Sequence, residues 1–259
     1  MAPLIHCVRH AQGFHNLGHE NWRMIDSLLT PAGERQCDKL REDFPFHSSV
    51  EPVVASPIHR TIYTALHAFA PVFESNPELK LIALPGLQEV SDLPCDSGSD
   101  LESLEKEVLE NNLPVDLSLV SSGWHVKSGR YAPDGEAIRA RAQKEIMVVA
   151  HGGLLHFLTE DWEDGSVYTG TGWANMEYRT YGCTEEDGDN STLMETDTSC
   201  QSRGKLGLRP TREQQRELFD SSRKQWDRNG VQLSAAEREK VAAFRASEYY
   251  MVPRSTKCF

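Results

Sequence analysis

The sequence predicts an α/β fold with three layers (α/β/α), in which a mainly parallel sheet carries helices on both of its faces. Four short apolar runs, typical of buried strands, lie at residues 4–8, 52–55, 79–84 and 146–150. Stretches with helical character alternate with them, at residues 30–44, 60–69, 101–110 and 136–143. Strands that alternate with helices favour parallel pairing, because a parallel connection needs a crossover long enough to hold a helix.

The chain is predicted to have three parts. A further strand at residues 177–181 closes a first domain over residues 1–182. Residues 183–209 are rich in Asp, Ser, Thr and Gly, which is typical of a flexible linker. The last part, residues 210–259, is expected to be a helical extension, because it contains two stretches that each have a polar cap with Gln or Glu three residues later. These stretches lie at residues 211–227 and 234–247.

The charge balance argues against a nucleic-acid partner. The 259 residues include 27 Lys and Arg against 39 Asp and Glu, for a formal net charge of −12, and such a surface repels phosphate backbones at long range. No apolar run of about 18 residues is present, and the first residues lack the features of a signal peptide. We therefore predict a cytoplasmic protein without a membrane partner. Its six cysteines form no C-x-x-C pair, which indicates reduced thiols.

Polar side chains follow the predicted strands at the points where the strands end. They are, in chain order, Arg9, His10, Asn16, Arg60, Glu89 and His151. Because ligands of parallel sheets bind outside the carboxyl ends of the strands, we expect these side chains to share one pocket. The guanidinium groups of Arg9 and Arg60 are forks that match the oxygens of a phosphate group. The sequence therefore predicts a phosphate-binding pocket at this edge of the sheet.

Five ordered motifs carry a family resemblance. They are VRHA at residues 8–11, LTPAG at 29–33, SPIHRT at 56–61, LQE at 87–89 and VAHGG at 149–153. With these motifs the chain resembles the histidine phosphatase superfamily, the phosphoglycerate mutase-like group, from about residue 4 to residue 181. The stretches 87–98 and 173–181 are most similar to fungal members of that group. The resemblance implies a phosphoglycerate mutase-like fold.

The resemblance also implies an activity, that of a metal-independent phosphatase acting on a small phosphorylated metabolite. His10 would be the nucleophile that takes the phosphoryl group as a phosphohistidine, since a neutral imidazole can attack phosphorus in line. Glu89 would give a proton to the leaving oxygen, and partial burial would raise its pKa for that purpose. His151 would complete the catalytic set, and no cofactor or metal is implied.

The remaining implied roles concern the phosphate oxygens. Arg9, Arg60 and His151 would bind the equatorial oxygens, where negative charge is spread in the transition state. Asn16 would donate one more hydrogen bond to these oxygens. The turn at Gly152 and Gly153 would add backbone N–H groups at the start of a helix, together with the positive end of the helix dipole.

The same residues allow other interpretations. In one, Asp92 or Asp96 is the proton donor in place of Glu89, and Asn16 caps a turn and does not bind phosphate. A second interpretation makes a zinc site of four spaced histidines, His6, His10, His15 and His19. A third makes Cys7 a thiol nucleophile, although a residue inside a buried strand is usually an inert thiol.

Two features depart from the family pattern. Family members usually carry Gly at the position of Ala11, and if the backbone there needs a positive φ, a Cβ strains it by about 1 kcal/mol. Residues 134–143 provide roughly 15 Å of helix, and no Gly or Pro follows them to reverse the chain before the strand at 146–150. A parallel crossover needs a longer connection, of about a dozen residues or more. This predicts a missing segment before Ile146, which would displace His151 and make the domain less stable.

The functional alternatives are a phosphotransferase or phosphomutase with the same site, and a repurposed or non-catalytic member such as a lyase or isomerase. Residues 90–94, which follow Glu89, do not match the segment of the glycolytic mutases and disfavour that activity. Specificity is expected from the segments 16–29, 91–131 and 173–175. Three tryptophans in or near them either line the pocket or belong to the core: Trp22, Trp124 and Trp173.

Overall fold

Seven strands form one mixed sheet in the computed structural model, which describes residues 4–132, 148–165, 172–183, 193–205 and 209–228. The strands are β1 (Leu4–Arg9), β2 (Val54–Ala55), β3 (Leu81–Ala83), β4 (Val115–Asp116), β5 (Val148–Ala150), β6 (Tyr178–Cys183) and β7 (Leu193–Glu195). Their order in the sheet is β4-β3-β2-β5-β1-β6-β7. The five strands from β4 to β1 pair in parallel, whereas β6 and β7 continue the sheet in antiparallel pairing.

Helices connect the strands. The α-helices of the described residues are α1 (Pro31–Asp43), α2 (His59–Ala68), α3 (Ala70–Ser75), α4 (Leu101–Glu110), α5 (Gly152–Thr159), α6 (Asp197–Ser202) and α7 (Arg212–Arg228). Short 3₁₀ helices lie at Phe14–Leu17, His19–Arg23, His47–Ser49, Pro85–Leu87, Pro94–Asp96 and Gly129–Tyr131. The predicted helices at residues 136–143 and 234–247 lie outside the described residues.

Capping residues explain where two helices begin. The Oγ1 atom of Thr30 accepts a hydrogen bond from the N–H of Gly33 (3.0 Å), and Pro31 occupies the first turn of α1. At the start of α7, the N–H of Gln214 donates to Oγ1 of Thr211 (3.3 Å), and the N–H of Thr211 donates to Oε1 of Gln214 (2.9 Å). Each pair satisfies backbone donors that the first turn of a helix leaves unpaired.

Alternate residues of the strands face two apolar clusters, one on each side of the sheet. On one face, Ile5 and Cys7 of β1 join a cluster with Leu154, Phe157 and Trp226, which come from α5 and α7. On the other face, Val8 joins a cluster with Leu40, Ile62 and Leu104, which come from α1, α2 and α4. Because both faces are covered by helices, the structure confirms the predicted three-layer α/β architecture.

The sheet continues beyond the predicted domain boundary at residue 182. Residues 193–202 were expected in a flexible linker, but they form β7 and α6. Glu195 anchors this part, since its buried carboxylate lies 2.6 Å from the guanidinium of Arg203 and accepts a hydrogen bond from Ser199 (2.6 Å). Helix α7 then packs on the core through Trp226 and Phe219. In the described part of the chain, no helix is long and apolar enough to cross a membrane.

Candidate active site

A cavity of about 80 Å³ lies where the parallel strands end. Its lining residues are Arg9, His10, His15, Asn16, Trp22, Arg60, Glu89, Val90, Ser91, Leu93, Cys95, Asp96, Gly153 and Trp226. Arg9 is the last residue of β1, and Gly153 lies in the first turn of the helix after β5. Five predicted site residues therefore share one cavity, and the strand order brings them there.

His10 is held with one ring nitrogen buried against the backbone. Its Nδ1 atom lies 2.7 Å from the carbonyl oxygen of Ala11 and donates to it, which leaves the lone pair on Nε2. Asn175 donates to the His10 carbonyl (2.8 Å) and helps to fix the main chain. Burial lowers the pKa of His10 well below 6.5, and the charges of Arg60 and Arg9 lower it further. His10 is thus a neutral imidazole near neutral pH, the form that can attack phosphorus.

His151 and Arg60 form a buried pair beside His10. An Nη2 hydrogen of Arg60 is donated to Nδ1 of His151 (3.0 Å), so Nδ1 is the acceptor and the ring proton resides on Nε2. The rings of His151 and His10 have their centroids 5.2 Å apart. The missing segment predicted before Ile146 would fall among residues 133–147, which lie outside the described part. The structure nevertheless places the ring of His151 beside that of His10, although His151 is not among the lining residues of the cavity.

Arg60 is anchored by three protein acceptors. Besides His151, they are the carbonyl of Cys95 (2.5 Å) and the carboxylate of Asp96 (2.9 Å). Asp96 in turn accepts a hydrogen bond from Ser91 (2.5 Å). Asp96 is therefore engaged in holding Arg60, and Asp92, the other alternative acid, is not among the lining residues of the cavity.

Arg9 is held by the segment before β6. One Nη1 hydrogen is donated to the carbonyl oxygen of Trp173, and the indole of Trp173 is covered by the guanidinium of Arg179 at 3.8 Å. Burial lowers the pKa of Arg9 to about 10, so the guanidinium is protonated near neutral pH. Trp173 and Trp124 are fully buried core residues and do not line the cavity.

Three buried N–H groups around His10 lack a hydrogen-bond partner among the described residues. They are Nε of Arg9, Nε of Arg60 and Nε2 of His151. A buried donor without an acceptor costs about 1–3 kcal/mol. The arrangement therefore favours a ligand with several acceptor oxygens and negative charge, which is the character of a phosphoryl group.

Glu89 is a buried lining residue of the cavity. Its Oε1 atom accepts hydrogen bonds from the N–H groups of Val90 (2.8 Å) and Leu154 (3.1 Å). Burial raises the pKa of Glu89, and the charge of Asp96 adds to this rise, against the opposing effects of the Val90 hydrogen bond, Arg60 and Lys127. A raised pKa favours the protonated carboxyl that a general acid needs.

Asn16 and Gly152 occupy different positions relative to the cavity. The Oδ1 atom of Asn16 accepts from the N–H of Gly13 (3.0 Å), so this residue caps a turn and also lines the cavity. Gly152 is the first residue of α5 and is buried, but it is not a lining residue. Its neighbour Gly153 lines the cavity, and a Cβ on Gly153 would stand 2.7 Å from Oε1 of Glu89.

Several lining residues were not assigned to the pocket from the sequence, among them His15 and Trp226. His15 is hydrogen-bonded through Nδ1 to Oγ of Ser27 (2.8 Å), and its ring centroid lies 5.3 Å from that of His10. Leu93 comes from the segment after Glu89, where specificity was expected. Trp226 comes from α7, and only the capping pattern of that helix signalled its presence.

The structure bears on three earlier expectations: a zinc site that includes His6, a nucleophilic thiol at Cys7 and a strained backbone at Ala11. The described residues contain no group of three or more His, Cys, Asp or Glu side chains that could hold a metal ion, and His6 is hydrogen-bonded to Thr180 (2.9 Å). Cys7 is fully buried, and burial raises the pKa of its thiol to about 12. Ala11 does not have a positive φ, and its N–H donates to Oγ1 of Thr64 (2.9 Å), so the expected backbone strain is absent.

The site consists of a buried histidine, two arginines and a second histidine at the carboxyl edge of an α/β sheet. This combination defines the class of protein. The family model of the histidine phosphatase superfamily (branch 1) matches residues 5–189. The chain belongs to this superfamily, as its five motifs predicted.

Proteins of Arabidopsis thaliana are among the relatives. A phosphoglycerate mutase-like protein is 29% identical over 203 residues, which cover 60% of this chain and 72% of the relative. Phosphoglycerate mutase-like protein 1 is 39% identical over 75 residues, which cover 25% of this chain and 27% of the relative. The match thus spans about a quarter of the second relative's length. The similarity to fungal members stays a prediction.

Two solved structures are similar at low identity. The ecdysone phosphate phosphatase of Bombyx mori in complex with tungstate has a TM-score of 0.47 and 14% identity, with 74% of this chain and 91% of that chain covered. The mycobacterial glucosyl-3-phosphoglycerate phosphatase in complex with VO3 has a TM-score of 0.44 and 16% identity. The match covers 75% of this chain and 97% of that chain. At this identity the similarity concerns the fold alone.

Proposed function

We propose that the protein is a metal-independent phosphatase that hydrolyses a small phosphomonoester through a phosphohistidine on His10. The single observation that carries this proposal is the set of three buried donors around the neutral imidazole of His10 that have no hydrogen-bond partner in the part of the chain that the structure describes. The donors match the oxygens of a phosphoryl group, and the imidazole supplies a nucleophile at the same place.

The first half of the reaction forms the phosphohistidine. Nε2 of His10 attacks phosphorus while the bond from phosphorus to the ester oxygen breaks. The carboxyl of Glu89 gives its proton to that oxygen, and the alcohol leaves. Arg9, Arg60 and the Nε2–H of His151 stabilise the charge that spreads over the equatorial oxygens.

The second half returns the enzyme to its starting state. A water molecule attacks phosphorus and gives a proton to the carboxylate of Glu89, while the bond between phosphorus and Nε2 breaks. Inorganic phosphate leaves, and Glu89 is again protonated. The positive charge that the transition state needs is supplied in this scheme by the two guanidinium groups and the imidazole N–H, which is why the proposal includes no metal.

The test is hydrolysis of p-nitrophenyl phosphate by the purified chain in excess chelator, beside two variants. His10→Ala removes the nucleophile, and we expect kcat to fall by at least about 10³-fold. His67→Ala changes an exposed histidine on α2 and serves as the matched control, with no change expected. Activity that survives chelation and disappears only in His10→Ala supports the proposal. Equal activity in the two variants contradicts it, and transfer of phosphate to an added alcohol in place of release indicates a phosphotransferase.

A further inference from the structure

We propose that the substrate is an apolar phosphomonoester, whose alkyl or aryl group packs against Trp22 and Trp226 and which carries no second anionic group. This inference rests on the proposed phosphatase function and names the substrate class of the same site. Trp226 becomes a specificity-determining residue, which gives helix α7 a direct part in substrate recognition.

Trp226 contributes an apolar surface to the cavity. Its Nε1–H donates to the carbonyl oxygen of Gly165 (3.0 Å), so the one polar atom of the indole is already paired and the rest of the ring is carbon. The ring centroid lies 5.8 Å from that of Trp162 and 6.3 Å from that of Phe157, which fix its orientation. Trp226 thus presents a rigid carbon surface to the cavity, one that suits an apolar partner.

Trp22 adds a second aromatic surface from a distant part of the chain. It lies in the 3₁₀ helix His19–Arg23, is half-buried, and its ring centroid is 4.4 Å from that of His19. Val90 and Leu93 are also lining residues. Apart from the groups assigned to phosphoryl transfer and the polar residues His15, Ser91 and Asp96, the lining is apolar, and burying an apolar substituent there is favourable.

The charges of the lining argue against a second anionic group on the substrate. The cations among the described lining residues are Arg9 and Arg60, and both are placed at the phosphoryl position. Arg60 is already paired with Asp96 at 2.9 Å. Lys127 lies nearby, but its Nζ donates to the main-chain carbonyl of Glu89 (2.5 Å) and it does not line the cavity. A carboxylate or second phosphate would lack a cation in this lining and would meet the charge of Asp96.

Three alkyl monoesters test the inference: hexyl phosphate, glycerol 1-phosphate and 3-phosphoglycerate. We expect kcat/KM for hexyl phosphate to exceed that for glycerol 1-phosphate by about 10-fold or more, because even one methylene in an apolar pocket is worth roughly that factor. We expect 3-phosphoglycerate to be the poorest substrate. Equal values for the three esters, or a preference for 3-phosphoglycerate, overturn the inference while leaving the phosphatase function intact.

Paired variants test the two tryptophans. Trp226→Ala and Trp22→Ala should each lower the preference for hexyl phosphate over glycerol 1-phosphate by about 10-fold, without changing inhibition by inorganic phosphate. Phe219→Ala, in the same aromatic cluster on α7, and Met24→Ala, an exposed residue near Trp22, are the matched controls. Neither control residue lines the cavity. If Phe219→Ala loses the preference as fully as Trp226→Ala, the effect comes from the packing of α7 and direct contact by Trp226 is refuted.

Phosphonates, which cannot be hydrolysed, separate this inference from the proposed function. Binding of hexylphosphonate and of 3-phosphonopropionate is measured by calorimetry, with no turnover required. Hexylphosphonate should bind at least about 10-fold more tightly. If no ester is hydrolysed but this difference is found, the phosphatase function fails and the substrate class stands. If the two phosphonates bind equally, the substrate class fails, whatever the activity.

Discussion

Arg60 and His151 are joined by a hydrogen bond of 3.0 Å in which the guanidinium donates to Nδ1 of the imidazole. This contact fixes the tautomer of His151, since the ring proton must then lie on Nε2. Arg60 lies on α2, and His151 directly follows β5. The two residues are distant in sequence, but the pairing of β2 with β5 brings them together. The two side chains act as one unit, so we expect the effects of mutating them to be non-additive.

The first prediction concerns this unit. His151→Ala should lower kcat by about 10²–10³-fold, the usual cost of removing one donor to transition-state charge, with a smaller effect on KM. Arg60→Met should cause a comparable loss because it also releases the tautomer of His151. The double variant should lose much less than the product of the two single losses. Steady-state kinetics of the four proteins measure this, and independent, multiplicative losses would contradict the coupling.

The second prediction is a bell-shaped pH profile of kcat. His10 must be deprotonated to attack, and burial lowers its pKa well below 6.5, so kcat should persist as the pH falls through 6.5 and drop only below it. Glu89 must be protonated to donate, and burial raises its pKa above 4.5, so kcat should fall as the pH rises through that raised value. Glu89→Gln should remove the alkaline limb and lower kcat for an alkyl ester by about 10²–10⁴-fold. An alkaline limb that persists in Glu89→Gln would refute the role of Glu89.

The third prediction uses two glycines. Gly153→Ala places a Cβ 2.7 Å from Oε1 of Glu89, and this flexible carboxyl must move away from the N–H groups that it now accepts from. We expect the fold to persist and kcat for alkyl esters to fall by about 10-fold, since misplacing a catalytic group has effects of this order or larger. Gly182→Ala on β6, where a Cβ meets no atom within 4 Å, is the matched control. Comparable kinetics for the two variants would count against the placement of Glu89.

The fourth prediction concerns stability. Asp26 is fully buried, lies 2.8 Å from Nδ1 of His59, and accepts hydrogen bonds from the N–H groups of His59 and Ser99. Burial alone would raise the pKa of Asp26, but the charge of His59 and the hydrogen bonds from His59 and from the Ser99 side chain lower it to about 2. The stability that this shift contributes is present above 3.8 and is lost as the pH falls through about 2.

Asp26→Asn should therefore reduce the free energy of unfolding by roughly 2 kcal/mol near neutral pH, with a difference that shrinks as the pH approaches 3. Urea denaturation at several pH values measures it. Asp38→Asn removes an exposed ion pair with Arg41 and should change the free energy of unfolding by less than about 0.5 kcal/mol. A loss for Asp26→Asn that does not depend on pH would show that packing, not charge, is responsible.

The sequence predicted the elements that have a clear periodic pattern. The helix expected at residues 101–110 is α4 with the same bounds, and the strand expected at 4–8 is β1. Strands β4 and β7 were missed, because two or three residues are too few to show alternation. Strand β7 is recognisable only from its pairing with β6, in which Glu195 lies opposite Tyr181. Such pairing depends on residues distant in sequence.

The candidate site was predictable where chain order and strand ends suffice. Arg9, His10, Arg60 and Glu89 line one cavity because each lies at or after the end of a parallel strand. The position of Asp96 depends on its contact with Arg60. The position of Trp226 depends on its packing in the apolar cluster that includes α5. No local pattern signals those contacts, so only the structure reveals them.

The most direct test of the account is to trap the phosphoryl group on His10. Substrate labelled with ³²P is mixed with excess enzyme, the single turnover is quenched in alkali, and the digested protein is mapped. We expect an alkali-stable, acid-labile label on the peptide that contains His10, and none in His10→Ala. Substrate turnover without a labelled peptide, or a label on another residue, would contradict the phosphohistidine mechanism.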